Sequence, residues 1–314
     1  MIIWISFIIF VTILLALDLL VFNKNAHVIS TKEATKYTIL WVSIALAFTG
    51  AIYLIYNGSY ISNPEELYSS KASIKYITGY LIELSLSIDN IFVIAIIFKS
   101  FAIEQRYQHR VLFWGGIVGA LIFRAIMIFF GVALIREIDW MTYIFGAFLL
   151  YTAFKMLVSK DDEFNPKESV IYKLARRWFP VTDRIEGQDL FIRKMGGKLI
   201  ATPLFLALIV IELTDVLFAL DSIPAILAIT SDPFLVFSSN IMAIIGLRSM
   251  YFFLSNLLDK FQYIHYSLIA ILTFVGLKMI LVHYIHFPEW VSLTFIFIAL
   301  MVGGLVSKLY PSNP

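Results

Sequence analysis

Apolar residues in this chain come in long blocks broken by short polar connections. Crossing the hydrocarbon of a bilayer takes about 20 apolar residues at roughly 1.5 Å of helix each. Blocks of that length fall at 2–22, 37–56, 74–98, 111–134, 140–158, 200–229, 234–254, 263–282 and 289–307, which predicts nine transmembrane helices. Lys and Arg concentrate in the odd-numbered connections, above all in 159–198, while Lys71, Lys75 and Arg136 mark the even-numbered ones. By the positive-inside rule the N-terminus is outside and the C-terminus inside. The expected fold class is an all-α polytopic membrane protein, N-out/C-in.

Composition agrees with this reading. The chain of 314 residues is 60% hydrophobic, 16% aromatic and only 15% charged, well outside the soluble range. Its net charge of +2 says little about partners, and nothing points to nucleic acid. There is no cysteine, which excludes a disulfide framework, a thiol redox centre and a thiolate metal site. The stretch Ile2 to Phe22 lacks a basic leader and is long enough to span, so it reads as a retained first helix. The longest connection carries Lys173, Arg176, Arg177 and Trp178, the pattern of an interfacial helix on the anionic leaflet. One transmembrane domain is expected over 1–314. Peripheral helices occupy 1–72, a first repeat 73–158, the cytoplasmic loop 159–199, a second repeat 200–282, and the ninth helix and C-terminus 283–314.

Two of the apolar blocks contain acids. Glu83 and Asp89 lie in the third, and Glu212, Asp215 and Asp221 in the sixth. A carboxylate at the centre of a membrane helix costs about 2.5–3.5 kcal/mol on insertion scales, so such groups face a partner, water or an ion. The two blocks also match each other. Asp89-Asn90-Ile91 aligns with Asp221-Ser222-Ile223, and the residue six positions earlier is acidic in both, Glu83 and Asp215. The following helix of each half carries a mid-span arginine, Arg124 or Arg248, and the third ends alike, Phe154-Lys155-Met156 against Leu277-Lys278-Met279. Helices 3–5 thus repeat as 6–8 with inverted orientation, and inverted repeats place substrate near the midplane where they meet.

The donors in these blocks are carboxylates, an amide and hydroxyls, with no mid-span His, a set suited to Mn²⁺, Mg²⁺ or Ca²⁺. Asp89 and Asp221 are the expected metal ligands, with Glu83, Asn90, Asp215, Ser222 and Glu212 beside them. At about 100° per residue Asp221 falls on the opposite face from Glu212. A helix break at Pro224, freeing the Leu220 carbonyl, is therefore expected to bring them together. The competing structural reading is that the acids only pair with Arg124 and Arg248. Counting Asp18, six membrane acids outnumber those two arginines, and protons or a metal would balance the surplus. Asp18 sits near the inner end of the first helix, within reach of headgroups. His283 and His286 read as interfacial, His27 and His109 carry no strong signal, and Gly115, Gly116 and Gly119 read as close helix packing.

At Ser87-Ile88-Asp89-Asn90-Ile91-Phe92-Val93, at Tyr107-Gln108-His109-Arg110-Val111-Leu112-Phe113-Trp114-Gly115, and from Ala201-Thr202-Pro203 to Asp221-Ser222-Ile223-Pro224-Ala225, the chain resembles the TerC/Alx family of integral membrane proteins. The resemblance runs over nearly the whole chain. It implies an exporter-like fold related to the LysE superfamily and a role in manganese export, with older associations to tellurite resistance and alkaline response. Redox modulation, ascribed to some members, fits poorly with a chain that has no thiol. Exporting a divalent ion against an inside-negative potential costs about 4.6 kcal/mol per 100 mV, and no P-loop is present, so coupling to H⁺ or Na⁺ is expected. The expectation is a secondary transporter of Mn²⁺, or a similar hard divalent cation, in a bacterial-type inner membrane. It would not be an enzyme and would carry no prosthetic group; its expected partners are the lipid bilayer and the divalent metal substrate, and the sequence names no protein partner. The alternative is a membrane scaffold or assembly factor whose buried acids only pack helices.

Overall fold

The computed structural model describes residues 2–18, 29–101, 103–113, 119–138, 140–158, 182, 189–193, 199–255, 263–281, 284–285 and 288–309. For a few helical residues, among them Asp89, Asp221 and Arg248, it describes the backbone alone. The helices are α1 (Ile2–Leu17), α2 (Thr31–Asn57), α3 (Ser69–Ser100), α4 (Gln105–Phe113), α5 (Ala120–Glu137), α6 (Met141–Val158), α7 (Pro203–Leu227), α8 (Pro233–Ile245), α9 (Leu247–Ser255), α10 (Ile264–Leu281) and α11 (Glu289–Leu309). Strands β1 (Phe191–Arg193) and β2 (Leu199–Ala201) lie between α6 and α7.

Among the described residues each apolar block is largely helical, but the ends are set by polar residues that the hydropathy pattern passes over. Helix α2 begins six residues before its apolar block. Ser30, extended at φ −72° and ψ 152°, accepts from the Glu33 N–H, and the first turn Thr31-Lys32-Glu33 is polar. Asp232 caps α8 in the same way, accepting from the N–H groups of Phe234 and Leu235, with Pro233 at the first helical position. The block 234–254 is divided at Gly246 into α8 and α9. The block 111–134 likewise takes in the end of α4 and most of α5, with Gly119 at the start of the latter. Ahead of α7, β1 pairs antiparallel with β2, Phe191 facing Ala201 and Arg193 facing Leu199. That hairpin moves the start of the helix from the expected residue 200 to Pro203. The expected interfacial helix around Lys173 lies outside the described residues.

One expectation is overturned. Helix α7 runs continuously from Pro203 to Leu227 with Pro224 inside it, so the chain does not unwind at Asp221. Pro224 falls in the last turn, where a missing N–H costs one hydrogen bond, and the turn closes again with the Ala228 N–H donating to the Pro224 carbonyl at 3.0 Å.

Among the described residues α3 is central, packed against α2, α7, α8 and α11. Helix α7 also meets α5, and α10 packs chiefly on α6. Gly146 of α6 and Gly276 of α10 let those two backbones touch, since a Cβ on either would stand 3.0 Å from the carbonyl oxygen of the other. Trp4 and Phe7 of α1 pack on Phe234 and Phe237 of α8, which fastens the N-terminal helix to the bundle. Large apolar side chains are exposed on α1, α2, α5, α6 and α11, including Ile9, Leu54, Phe130, Phe154 and Leu305. An apolar outer surface of this extent matches a hydrocarbon solvent. Of the described helices, Thr31–Asn57, Met141–Val158 and Trp290–Leu309 are long and apolar enough to cross a bilayer by length and composition alone, and Ile2–Leu17, Leu121–Ile135, Pro233–Ile245 and His265–Leu281 are apolar but shorter.

Candidate ion site

Acids of α3 and α7 meet in the interior, and they meet on an arginine. Glu83 of α3 and Arg124 of α5 are 0% and 1% exposed. The Arg124 guanidinium donates through Nη2 to Asp215 Oδ1 at 2.9 Å and through Nε to Asp215 Oδ2 at 3.2 Å, a bidentate fork onto the carboxylate of α7. Its Nη1 donates to Glu83 Oε1 and, at 3.5 Å, to Asn240 Oδ1 of α8. Asn240 Nδ2 donates in turn to Glu83 Oε2 at 2.8 Å. Four helices are tied by one node that holds two carboxylates and one cation, a net charge of −1.

Arg124 reaches both acids because of where α5 begins. Its start at Gly119–Ala120 places the arginine in the second turn, inside the bundle, with the neighbouring Ile122 and Phe123 exposed. Gly119 leaves room there: a Cβ would stand 1.7 Å from Glu212 Oε1, so the Glu212 carboxylate lies directly against the bare backbone. Its Oε2 is buried and has no hydrogen-bond partner among the described residues.

Among the described residues the hydroxyls of Ser85 and Ser87 on α3, each 1% exposed or less, are further buried oxygens without partners, and Ser222 of α7 is buried beside Glu83. A helical serine in apolar surroundings ordinarily returns its hydroxyl to a carbonyl three or four residues back, as Thr214 does to the Val210 carbonyl at 2.6 Å. Ser87 is one turn beyond Glu83, and Ser222 is two turns beyond Asp215 on the same helical face. Asn90 is buried as well.

Of the residues expected to hold a cation, the structure brings Glu83 and Asp215 together through Arg124. It places Glu212 against Gly119, and it buries Asn90 and Ser222. The side chains of Asp89 and Asp221, and of the expected pairing residue Arg248, lie outside the description. With α7 unbroken, Asp221 stays on the opposite helical face from Glu212, so the expected convergence of all three α7 acids on one point does not occur. Among the described residues no group of three or more His, Asp or Glu comes together as a metal-ion site. Asp18 is buried at 2% exposure, not extended to headgroups. His27, His283, His286, Gly115 and Gly116 lie outside the described residues.

Asn240 is the member of the node that sequence reasoning missed. Its signal was the polar run Ser238-Ser239-Asn240 inside the otherwise apolar α8, and all three residues are buried.

Residues 68–313 match the family described as "Integral membrane protein TerC family". The chain belongs to the TerC family. It is 47% identical over 310 residues to "Uncharacterized membrane protein STKORF319" of Myxococcus xanthus, covering 99% of this chain and 92% of that one. It is 42% identical over 308 residues to "Putative membrane-bound redox modulator Alx" of Escherichia coli K12, covering 97% and 93%. A membrane protein of Rickettsia bellii is 42% identical over 310 residues, covering 99% and 98%. No solved structure matches the chain. It is therefore an integral membrane protein along most of its length, and the buried charges of α3, α5 and α7 lie within a TerC-family membrane domain.

Proposed function

We propose that this TerC-family protein is a secondary transporter that exports Mn²⁺, or a similar hard divalent cation, across a bacterial inner membrane. Asp89 and Asp221 bind the ion, and the Glu83–Arg124–Asp215–Asn240 node holds α3 and α7 in place beside it. The observation that carries the reading is the imbalance at that node. One guanidinium answers two carboxylates, while Glu212 Oε2 is a buried carboxylate oxygen with no hydrogen-bond partner among the described residues. Oxygen atoms in excess of donors, away from water, are the environment that a hard cation satisfies and that helix packing alone does not explain.

The arrangement of breaks supports a repeated, inverted architecture of nine spans. Arg124 follows the helix start at Gly119, and Arg248 follows the division at Gly246. The charge cost of outward movement, about 4.6 kcal/mol per 100 mV for a divalent ion, requires a second gradient, which we assign to H⁺ or Na⁺. The name redox modulator given to the Escherichia coli relative has no thiol to act through in this chain.

In the second reading the acids only pack helices, and it draws support from the same node, since Arg124 neutralises one carboxylate outright. Asp89→Asn and Asp221→Asn separate the two. With expression in the membrane unchanged, each variant should lose the manganese tolerance that the wild type confers on an exporter-deficient strain. Full tolerance in both variants refutes the transporter. Metal efflux from vesicles that ignores both ion gradients refutes the coupling alone.

A further inference from the structure

The connection between α2 and α3 is built to present one carboxylate. Asn63 folds it into a closed turn, its Nδ2 donating to the Leu67 carbonyl at 2.9 Å and its Oδ1 accepting from the Leu67 N–H at 2.8 Å. Inside that turn Glu66 adopts φ 50°, a left-handed conformation that a β-carbon disfavours and that persists only when the surroundings enforce it. The residue held out is Glu65. Its Oε1 accepts from Thr230 Oγ1 at 3.0 Å, from Ser231 Oγ at 2.9 Å and from the Ser231 N–H, all in the connection between α7 and α8. Its Oε2 pairs with Lys75 Nζ of α3 at 2.7 Å. Burial pushes the Glu65 carboxyl up, yet Lys75 and the Ser231 donors outweigh it and hold it below its ordinary range.

These bonds join the N-terminal end of α3 to the C-terminal end of α7, the two helices that carry the acids. The other ends of the same helices close through the apolar packing of Ile97, Phe98 and Phe101 with Leu204 and Ala207, whereas the Glu65 end adds its polar clasp outside the packing of Ile82 with Ile223 and Ile226. The contrast has a mechanical consequence. Separating apolar side chains exposes them to water at a cost proportional to their area, whereas charged and hydroxyl groups that part can bond to water instead. The hydrogen-bonded end is the one that can open and reclose.

Building on the transporter reading above, we propose that Glu65, with Lys75, Thr230 and Ser231, forms a gate that closes the end of the pathway between α3 and α7, and that it must part in each transport cycle. A clasp that only stabilised the fold would never need to open.

The absence of cysteine from the chain makes the test clean. Glu65→Cys/Ser231→Cys protein in proteoliposomes is bridged with a short, reducible bis-methanethiosulfonate. Mn²⁺ flux should fall about tenfold or more on bridging and return on reduction, because only the open fraction conducts. Each single-cysteine variant treated alike should be unaffected. Undiminished flux through protein whose bridging is verified by mass overturns the gate while leaving the transporter intact. Wild-type protein that moves none of Mn²⁺, Mg²⁺ or Ca²⁺ refutes the transporter, and the gate with it. A second measurement serves if the double variant does not fold. Glu65→Ala in a Ser222→Cys background should label several-fold faster with a membrane-impermeant maleimide than Ser222→Cys alone, since releasing the clasp favours the open form. Equal labelling of the two proteins also overturns the proposal.

Discussion

Replacing Arg124 by Met keeps most of the side-chain stem and removes the one cation at the node, leaving Glu83 and Asp215 without a counter-charge. Removing one partner of a buried pair costs about 3–5 kcal/mol, because the other charge stays buried alone. An orphaned carboxyl can escape by taking a proton, at about 1.36 kcal/mol for each pH unit above its ordinary value near 4, or roughly 4 kcal/mol at pH 7. Both routes place the loss for Arg124→Met near 4 kcal/mol at neutral pH, equivalent to a melting midpoint lower by roughly 6 °C. Thermal unfolding of the detergent-solubilised protein, followed by circular dichroism, measures it. Two further outcomes follow from the same arithmetic. The loss should shrink as pH falls from 7 towards 5, because protonation becomes cheaper. The neutral triple variant Glu83→Gln/Arg124→Met/Asp215→Asn should recover most of the stability, as buried pairs replaced by neutral groups of similar size often do. An Arg124→Met protein that melts within about 1 kcal/mol of wild type refutes the reasoning. So does a triple variant as weak as the single one, for then the arginine stem and not its charge was the contribution.

Two smaller perturbations address neighbouring features. Gly119→Ala puts a methyl group where the Glu212 carboxylate lies, and because that carboxylate ends a flexible chain it should swing aside while the fold survives. Melting should then stay within about 1 kcal/mol of wild type while manganese efflux falls at least several-fold, and unchanged efflux would remove Glu212 from the pathway. Asp232→Asn keeps an oxygen to cap α8 and deletes the charge. Burial raises the Asp232 carboxyl above its ordinary value of 3.8 against the opposing pull of Tyr56 and the capping N–H groups. A raised carboxyl binds its proton more tightly in the folded state, so this group's contribution falls as pH rises from 3.8 through the folded value. The Asn variant should therefore gain on wild type in that window, and parallel melting curves against pH would contradict the assignment.

Much of the fold was legible in the order of residues, and the reason is the solvent. A bilayer demands about 20 apolar residues for each crossing and leaves no backbone group unpaired, so among the described residues hydropathy alone located the long apolar helices. What hydropathy cannot see is polar punctuation. The Ser30 and Asp232 caps, the division at Gly246 and the β1–β2 hairpin shift or split elements whose apolar blocks run straight on. Pro224 misled for a related reason. The sequence marks a missing donor, but the cost of that donor depends on how near the helix end it falls, and α7 stops three residues later.

The meeting of Glu83 and Asp215 was foreshadowed by their alignment, and the arginine was a candidate partner from its position in mid-span. That both acids would share Arg124, with Asn240 bridging back to Glu83, was not, because hydrogen-bond direction arises only when four helices fix their mutual rotation. The amino-acid order thus determined the membrane, most of the helices and the burial of Glu83, Arg124 and Asp215, since each is a local matter of transfer free energy along one segment. Tertiary packing alone decided which of those charges cancel, which oxygens are left without a donor, and that Glu65 clasps Ser231, a partner 166 positions away. Those outcomes depend on distances between helices, and a pattern read along one segment carries no such distances.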